Sequence, residues 1–227
     1  MKKFLIILGS GTALIVALIA IVAWLSLQPQ SWYVPLDNLQ PEVAKLAERS
    51  EYRLNEEFHK VRSVEEVWKI RLNDTFMNAW LATRLEDWLT YNQDFELPPE
   101  LHNPVNRLME SLLLLPPELH NPHIHVTPSG VWIGAMVEID KEEPRPIAVQ
   151  IQIQVTNGML LAEPIALRLG KIPLPISVFL QAIDDGQGEV FAVEAFAPLM
   201  DDREVEILSI LFEEGALVLE CQTRLPN

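Results

Sequence analysis

The chain has 227 residues, 49% of them apolar and 22% charged, with a formal net charge of −15. That sign argues against nucleic acid as a partner and against an electrostatic hold on anionic lipid headgroups. One cysteine, Cys221, excludes an internal disulfide framework and suits an oxidising compartment, because no second thiol is there to mispair.

Residues Phe4 to Leu27 are uncharged and mostly apolar, with Lys2 and Lys3 just ahead of them. At about 1.5 Å per helical residue the run extends on the order of 36 Å, enough to cross a hydrocarbon core of roughly 30 Å with some tilt. The rival reading is a cleaved signal, but its apolar centre would be only about 7 to 15 residues long. No Ala-x-Ala pattern closes the run, Trp24 is too large for a cleavage site, and no Cys follows as a lipoprotein needs. Residues 1–27 are therefore expected to be an uncleaved transmembrane anchor. With no further base until Lys45, Lys2 and Lys3 place the N-terminus in the cytoplasm and everything after Gln28 outside. Trp24, Trp32 and Tyr33 stand where an interfacial aromatic belt would be.

Residues 28–41, with Pro29 and Pro35 and no periodicity, read as a linker. The remainder, 42–227, reads as one extracytoplasmic domain, and beyond the anchor 15 bases face 32 acids, a formal charge of −17. From Pro41 a helix is expected, with Val43, Leu46 and Ala47 on one face. Glu66 to Leu72 alternate as a strand does. Asn73 or Asp74 can cap a helix in which Met77, Trp80, Leu81, Leu85 and Trp88 form the apolar stripe, with Trp80 and Trp88 as core anchors.

The octapeptide Leu97-Pro98-Pro99-Glu100-Leu101-His102-Asn103-Pro104 recurs as Leu115-Pro116-Pro117-Glu118-Leu119-His120-Asn121-Pro122. It occurs twice only, at a spacing below that of solenoid repeats, so it reads as a local insertion. Between the copies Val105, Leu108, Met109, Leu112 and Leu115 have helical spacing. A hairpin follows, Ile124 to Thr127 and Val131 to Asp140 about Pro128-Ser129-Gly130. Val149 to Thr156 then alternate strictly before Asn157-Gly158, the signature of a type I′ hairpin returning through Met159 to Leu169, with a bulge or edge at Pro164. A helix from Pro175, with Ile176, Phe179, Leu180 and Ile183 on one face, is followed by a strand from Glu189 to Ala197. The final hairpin is Glu204 to Phe212 and Leu217 to Arg224 about Glu214-Gly215. The expected class is α+β: an N-terminal transmembrane helix, then a curved antiparallel sheet of long hairpins with packed helices.

The strand before Leu72-Asn73-Asp74-Thr75-Phe76-Met77-Asn78-Ala79-Trp80-Leu81, the Gly-centred and long alternating hairpins, and Gly170-Lys171-Ile172-Pro173-Leu174-Pro175 before a helix together resemble the YpmS-type single-pass bacterial envelope proteins. The likeness covers about residues 50 to 225 and rests on short structural motifs. It implies an extracytoplasmic domain akin to elongated lipid-binding folds, and it carries over no catalytic residue. The duplicated segment departs from that pattern.

Four histidines, His102, His120, His123 and His125, fall within 24 residues, and His123 and His125 would share a strand face. A three-nitrogen metal site fits that spacing, but no H-E-x-x-H or Cys pair supports it, and an exposed turn is the favoured reading. Asp184-Asp185-Gly186-Gln187-Gly188-Glu189 lacks EF-hand ligand spacing and reads as a helix stop. Asp201-Asp202 and Glu142-Glu143 read as solvated turn charges. Cys221, alternating with Leu217 and Leu219, reads as a small buried hydrophobe. No G-x-S-x-G, Walker-type loop or helix-opening G-x-G-x-x-G occurs. No catalytic, cofactor or metal residue is therefore assigned. The function the sequence favours is a non-enzymatic membrane-anchored module binding a lipid or other apolar ligand. The alternatives are a scaffold for another envelope protein and, behind it, a metal-dependent hydrolase.

Overall fold

The uncharged N-terminal run folds as helix α1 (Lys2–Ser26) in the computed structural model, which describes residues 2–63, 66–93, 119–138, 144–177, 191–199 and 203–224. The side chains of α1 are described from Leu14 onward. Leu14, Ile15, Val16, Leu18, Ile19, Ile21, Val22 and Trp24 are all more than half exposed, so the rest of the chain does not cover them. Counting only the side chains that are described, which in α1 start at Leu14, no helix is long and apolar enough to cross a membrane.

Helix α2 (Pro41–His59) starts with proline in its first turn, where the missing N–H costs nothing, and carries Glu42 at its positive end and His59 at its negative end. Its Val43 and Ala47 pack against Ala79 of α3 (Asp74–Gln93). Ala47 and Ala79 are fully buried, which lets the two helices approach closely. The deepest side of α3 is Asn78 and Ala79, not the expected stripe, and Trp88 is 36% exposed with its ring edge-on to Trp80 at 6.4 Å. The reason is that α3 is apolar on several sides, and its neighbours select the face where small residues permit contact.

The expected single curved sheet is instead two antiparallel sheets. One has the order β1 (Val67–Asn73), β10 (Ala216–Arg224), β9 (Glu204–Glu213), β8 (Phe196–Pro198). The other runs β2 (Leu119–Thr127), β3 (Gly130–Val137), β4 (Arg145–Thr156), β5 (Met159–Leu169), β6 (Ile172–Leu174), with β7 (Phe191–Glu194) also pairing β5. The strand expected at Glu189 to Ala197 divides at Ala195: β7 belongs to the six-stranded sheet and β8 to the four-stranded one. Fully buried Ala195 donates its N–H to Gly158 and accepts from the Ile207 N–H, each at 2.8 Å, so one residue stitches the sheets together. A second junction lies on the outer edge of β2, where the Val126 carbonyl accepts the Gly215 N–H at 2.9 Å. Hydrogen bonds to an exposed strand edge also remove it as a template for aggregation.

Asn157 and Gly158 both have positive φ, as a type I′ turn requires, and the β4–β5 register shifts beside Pro164. The second octapeptide copy supplies the start of β2 through Leu119-His120-Asn121-Pro122, with a register shift before His123. The expected helix between the copies, the first copy with His102, the body of the helix from Pro175, Asp184 to Glu189, Asp201-Asp202 and Glu142-Glu143 lie outside the described residues.

The four-stranded sheet holds the tightest core, in which Trp68, Ile70, Val205 and Cys221 pack under Leu54 and Phe58 of α2. The Trp68 indole donates to Thr223 Oγ1 at 3.2 Å, and the Arg62 guanidinium covers its ring at 3.8 Å. Cys221 is fully buried, as its alternation with Leu217 and Leu219 suggests, and burial pushes its thiol up to about 11. Because Ala195 has no free space at the stitch, Ala195→Leu should lower stability by roughly 1–3 kcal/mol through overpacking. Chemical denaturation checks this as a lower midpoint at unchanged slope.

Candidate functional site

The register of the six-stranded sheet sorts its side chains into two unlike faces. On β4, Ile147, Val149, Ile151, Ile153 and Val155 point one way, and Pro146, Ala148, Gln150, Gln152 and Gln154 the other. Pairing aligns the first set with Ile124 and Val126 of β2, Val131, Ile133 and Ala135 of β3, Leu160, Leu167 and Leu169 of β5, and Ile172 and Leu174 of β6. Apart from Arg145 at the start of β4, which pairs with Val137, every member of that face is apolar. Its centre is deeply buried at Val126, Leu167 and Val149, while Ile133 is 38% exposed and Ile151, Ile153 and Val155 are half-buried.

The opposite face is closed by the segment after α1. Gly134 leaves a gap on β3 between the flanking Trp132 and Met136, and the Trp32 ring fills it: a Cβ on Gly134 would stand 2.8 Å from Trp32 Cη2. Trp32 stacks on His125 at 5.4 Å and on His123 at 6.2 Å, and it meets Trp132 at 6.4 Å. Tyr33 is buried beside it with its hydroxyl donating to the Asn121 carbonyl at 2.8 Å, and burial pushes that hydroxyl up to about 12. On the far side of Trp132 the Arg168 guanidinium lies 5.0 Å from the ring and donates to Gln30 Oε1 at 3.1 Å. The expected linker is therefore irregular, as its sequence suggests, but it is packed onto the sheet. The recess between Gln30, Trp32, Tyr33, Pro146, Ile147, Ala148 and Gly170 is too narrow for a water molecule.

Helix α3 fixes the histidine strand through one amide. Asn78, 5% exposed, accepts the Ile124 N–H at 2.6 Å and donates to the Ile124 carbonyl at 2.7 Å. Those two bonds settle which end of the amide is nitrogen, and its second hydrogen points at His123 Nε2, 3.2 Å away. A ring nitrogen facing an N–H₂ group must accept, so His123 is neutral with its proton on Nδ1. Burial lowers its pKa, the Asp74 carboxylate opposes that shift, and His125 adds to it. His125 Nδ1 stands 3.4 Å from Asp74 Oδ2.

Of the four clustered histidines, the structure brings together His123 and His125, while His120 is exposed at the start of β2 beyond the register shift. Both close histidines serve packing and hydrogen bonding, and among the described residues no three His, Cys, Asp or Glu side chains gather as a metal site. Asn78, Trp32 and Gly134 were not singled out from the sequence as parts of a site. The legible signal was Gly134 itself, a glycine in a strictly alternating strand, which marks a close approach by another group. No protein-family model matches the chain, and no curated protein matches it.

Asn78→Ala would strand the Ile124 N–H and carbonyl and should cost roughly 1–3 kcal/mol in denaturation. The His123 ring also sets a pH dependence. Above about pH 6.5 neither the folded nor the unfolded chain protonates it; below that, the unfolded chain takes the proton first and stability falls until the folded ring titrates too. Denaturation midpoints should therefore drop as the pH falls below about 6.5, and drop less in His123→Gln. An identical slope in the variant would remove His123 as the cause.

Proposed function

We propose that this chain is a single-pass, membrane-anchored binding module, acting without catalysis, whose extracytoplasmic domain takes an acyl chain or similar apolar ligand on the six-stranded sheet. The observation that carries this reading is the sheet face that is apolar apart from Arg145 at one end, buried at its centre and only half-covered at Ile133, Ile151 and Ile153. Water penalises such a surface at roughly 25 cal/mol per Å², so an apolar ligand gains by covering it. The opposite face has its own cover in Trp32 and Tyr33 and needs no ligand.

The anchor is supported by the continuous 25-residue helix α1, by the uncharged sequence from Phe4 to Leu27 that it contains, and by apolar side chains exposed around it. Lys2 and Lys3 at its start orient the domain to the outer side of the cell membrane. The resemblance to YpmS-type envelope proteins implies the same extracytoplasmic setting and a domain akin to elongated lipid-binding folds.

A photoactivatable fatty acid supplied to vesicles carrying the full chain tests the ligand. Crosslinks should map by mass spectrometry to β3 and β4, and Ile133→Asp with Ile151→Asp should reduce them at least about tenfold, a change of about 1.4 kcal/mol. Crosslinks confined to α1 would mean that the sheet face binds no lipid. Capture of one protein partner in place of lipid would support a scaffold instead.

A further inference from the structure

We infer that the β5–β6 turn, Gly170-Lys171, is the membrane-contacting end of the domain and sits at the level of the lipid headgroups, holding the sheet in a fixed pose on the bilayer. The inference rests on the proposed anchor. It is carried by how the end of α1 is finished. Helices leave their last carbonyls without partners, and here Leu25 receives the Lys171 N–H at 3.0 Å together with the Gln28 N–H at 3.2 Å. The domain itself thus caps the anchor.

Three further features make the junction rigid. Gly170 has φ +55°, and a Cβ there would overlap the carbonyl oxygens of Leu25 and Ser26, so only glycine admits the helix end this close. The Gln30 side chain donates to the Gly170 carbonyl and accepts from Arg168, bracing the turn from the other side. Two residues further on, Trp32 fills the gap over Gly134. No free spacer separates helix and sheet.

In the described part of the six-stranded sheet the Lys and Arg residues are Arg145, Arg168 and Lys171, and pairing puts all three at this end, with Gly170 N–H donating to Pro146 at 2.7 Å. Glu138 shares this end, whereas Glu194 pairs with Met159 at the opposite one. Lys171, whose N–H bonds the Leu25 carbonyl, is thereby held one residue along α1 from the interfacial Trp24. The apolar face starts there too, because Leu169 and Ile172 flank the turn.

The test uses full-length protein in vesicles of phosphatidylcholine and phosphatidylglycerol with a nitroxide on the headgroup. A fluorophore is placed on Lys171→Cys or, as reference, on Thr156→Cys at the other end of the sheet, about 35 Å away at roughly 3.3 Å per strand residue. Buried Cys221 does not compete for the label. The label at 171 should be strongly quenched and the label at 156 should not. Gly170→Val, or Gln30→Ala if the first variant does not fold, should lower the quenching at 171 while leaving the protein in the membrane. Equal quenching at both sites in protein that survives a carbonate wash would overturn this inference and leave the anchor standing. Release by the wash would overturn the anchor itself.

Discussion

The Trp32 ring in the gap over Gly134 is the contact on which the arrangement depends. It joins a helix that the rest of the chain leaves uncovered to a sheet with one largely apolar face, and it does so without a flexible tether. Ordering residues 28 to 33 costs on the order of 6–12 kcal/mol in backbone entropy. Two aromatic rings at 150–250 Å² each return up to about 8–12 kcal/mol. The terms nearly cancel, so the hydrogen bonds from Tyr33, Lys171 and Gln30, about 1 kcal/mol each, decide the sign. Losing any of these partners threatens the whole junction.

The same logic explains why the histidines face inward. His123 and His125 form the floor on which Trp32 stacks, so the strand that carries them must be held at a set height. Asn78 supplies that constraint from α3, and the Gly215 N–H supplies a second one from the four-stranded sheet. The outer edge of β2 is thereby shared between a helix, a neighbouring sheet and the segment leaving α1. A polar amide at 5% exposure with three partners, all specified, is well suited to fix one register, because any slip would leave it unsatisfied.

Local pattern made most elements legible. The alternation from Val149 to Thr156 and the Asn157-Gly158 turn need nothing beyond neighbouring residues, and β1, β3, β9 and β10 follow their own periodicity in the same way. The division of a single apolar run at Ala195 between two sheets was hidden, because that choice belongs to partners 35 or more positions away or across a turn, Gly158 and Ile207. The packed linker was hidden for the same reason: Trp32 and Tyr33 have no period, and their site is made by residues about a hundred positions later. In α3 the sequence offered a broad apolar surface and tertiary contact chose the small side, Ala79. The start of β2 inside the second octapeptide was obscured by Asn121 and Pro122, which read as a turn and are accommodated as an irregularity in the strand.

If α1, packed segment and sheet form one body, the amides at their junction are protected together. Hydrogen–deuterium exchange on the full chain in lipid nanodiscs reads this directly. The account predicts slow exchange at Gln28, Tyr33, Ile124, Gly170 and Lys171, whose N–H groups donate across turns and junctions, with protection lost in concert in Gly134→Val. Exchange of residues 28 to 33 at the rate of an unstructured peptide, while Ile124 stays protected, would contradict it by showing a domain on a free tether.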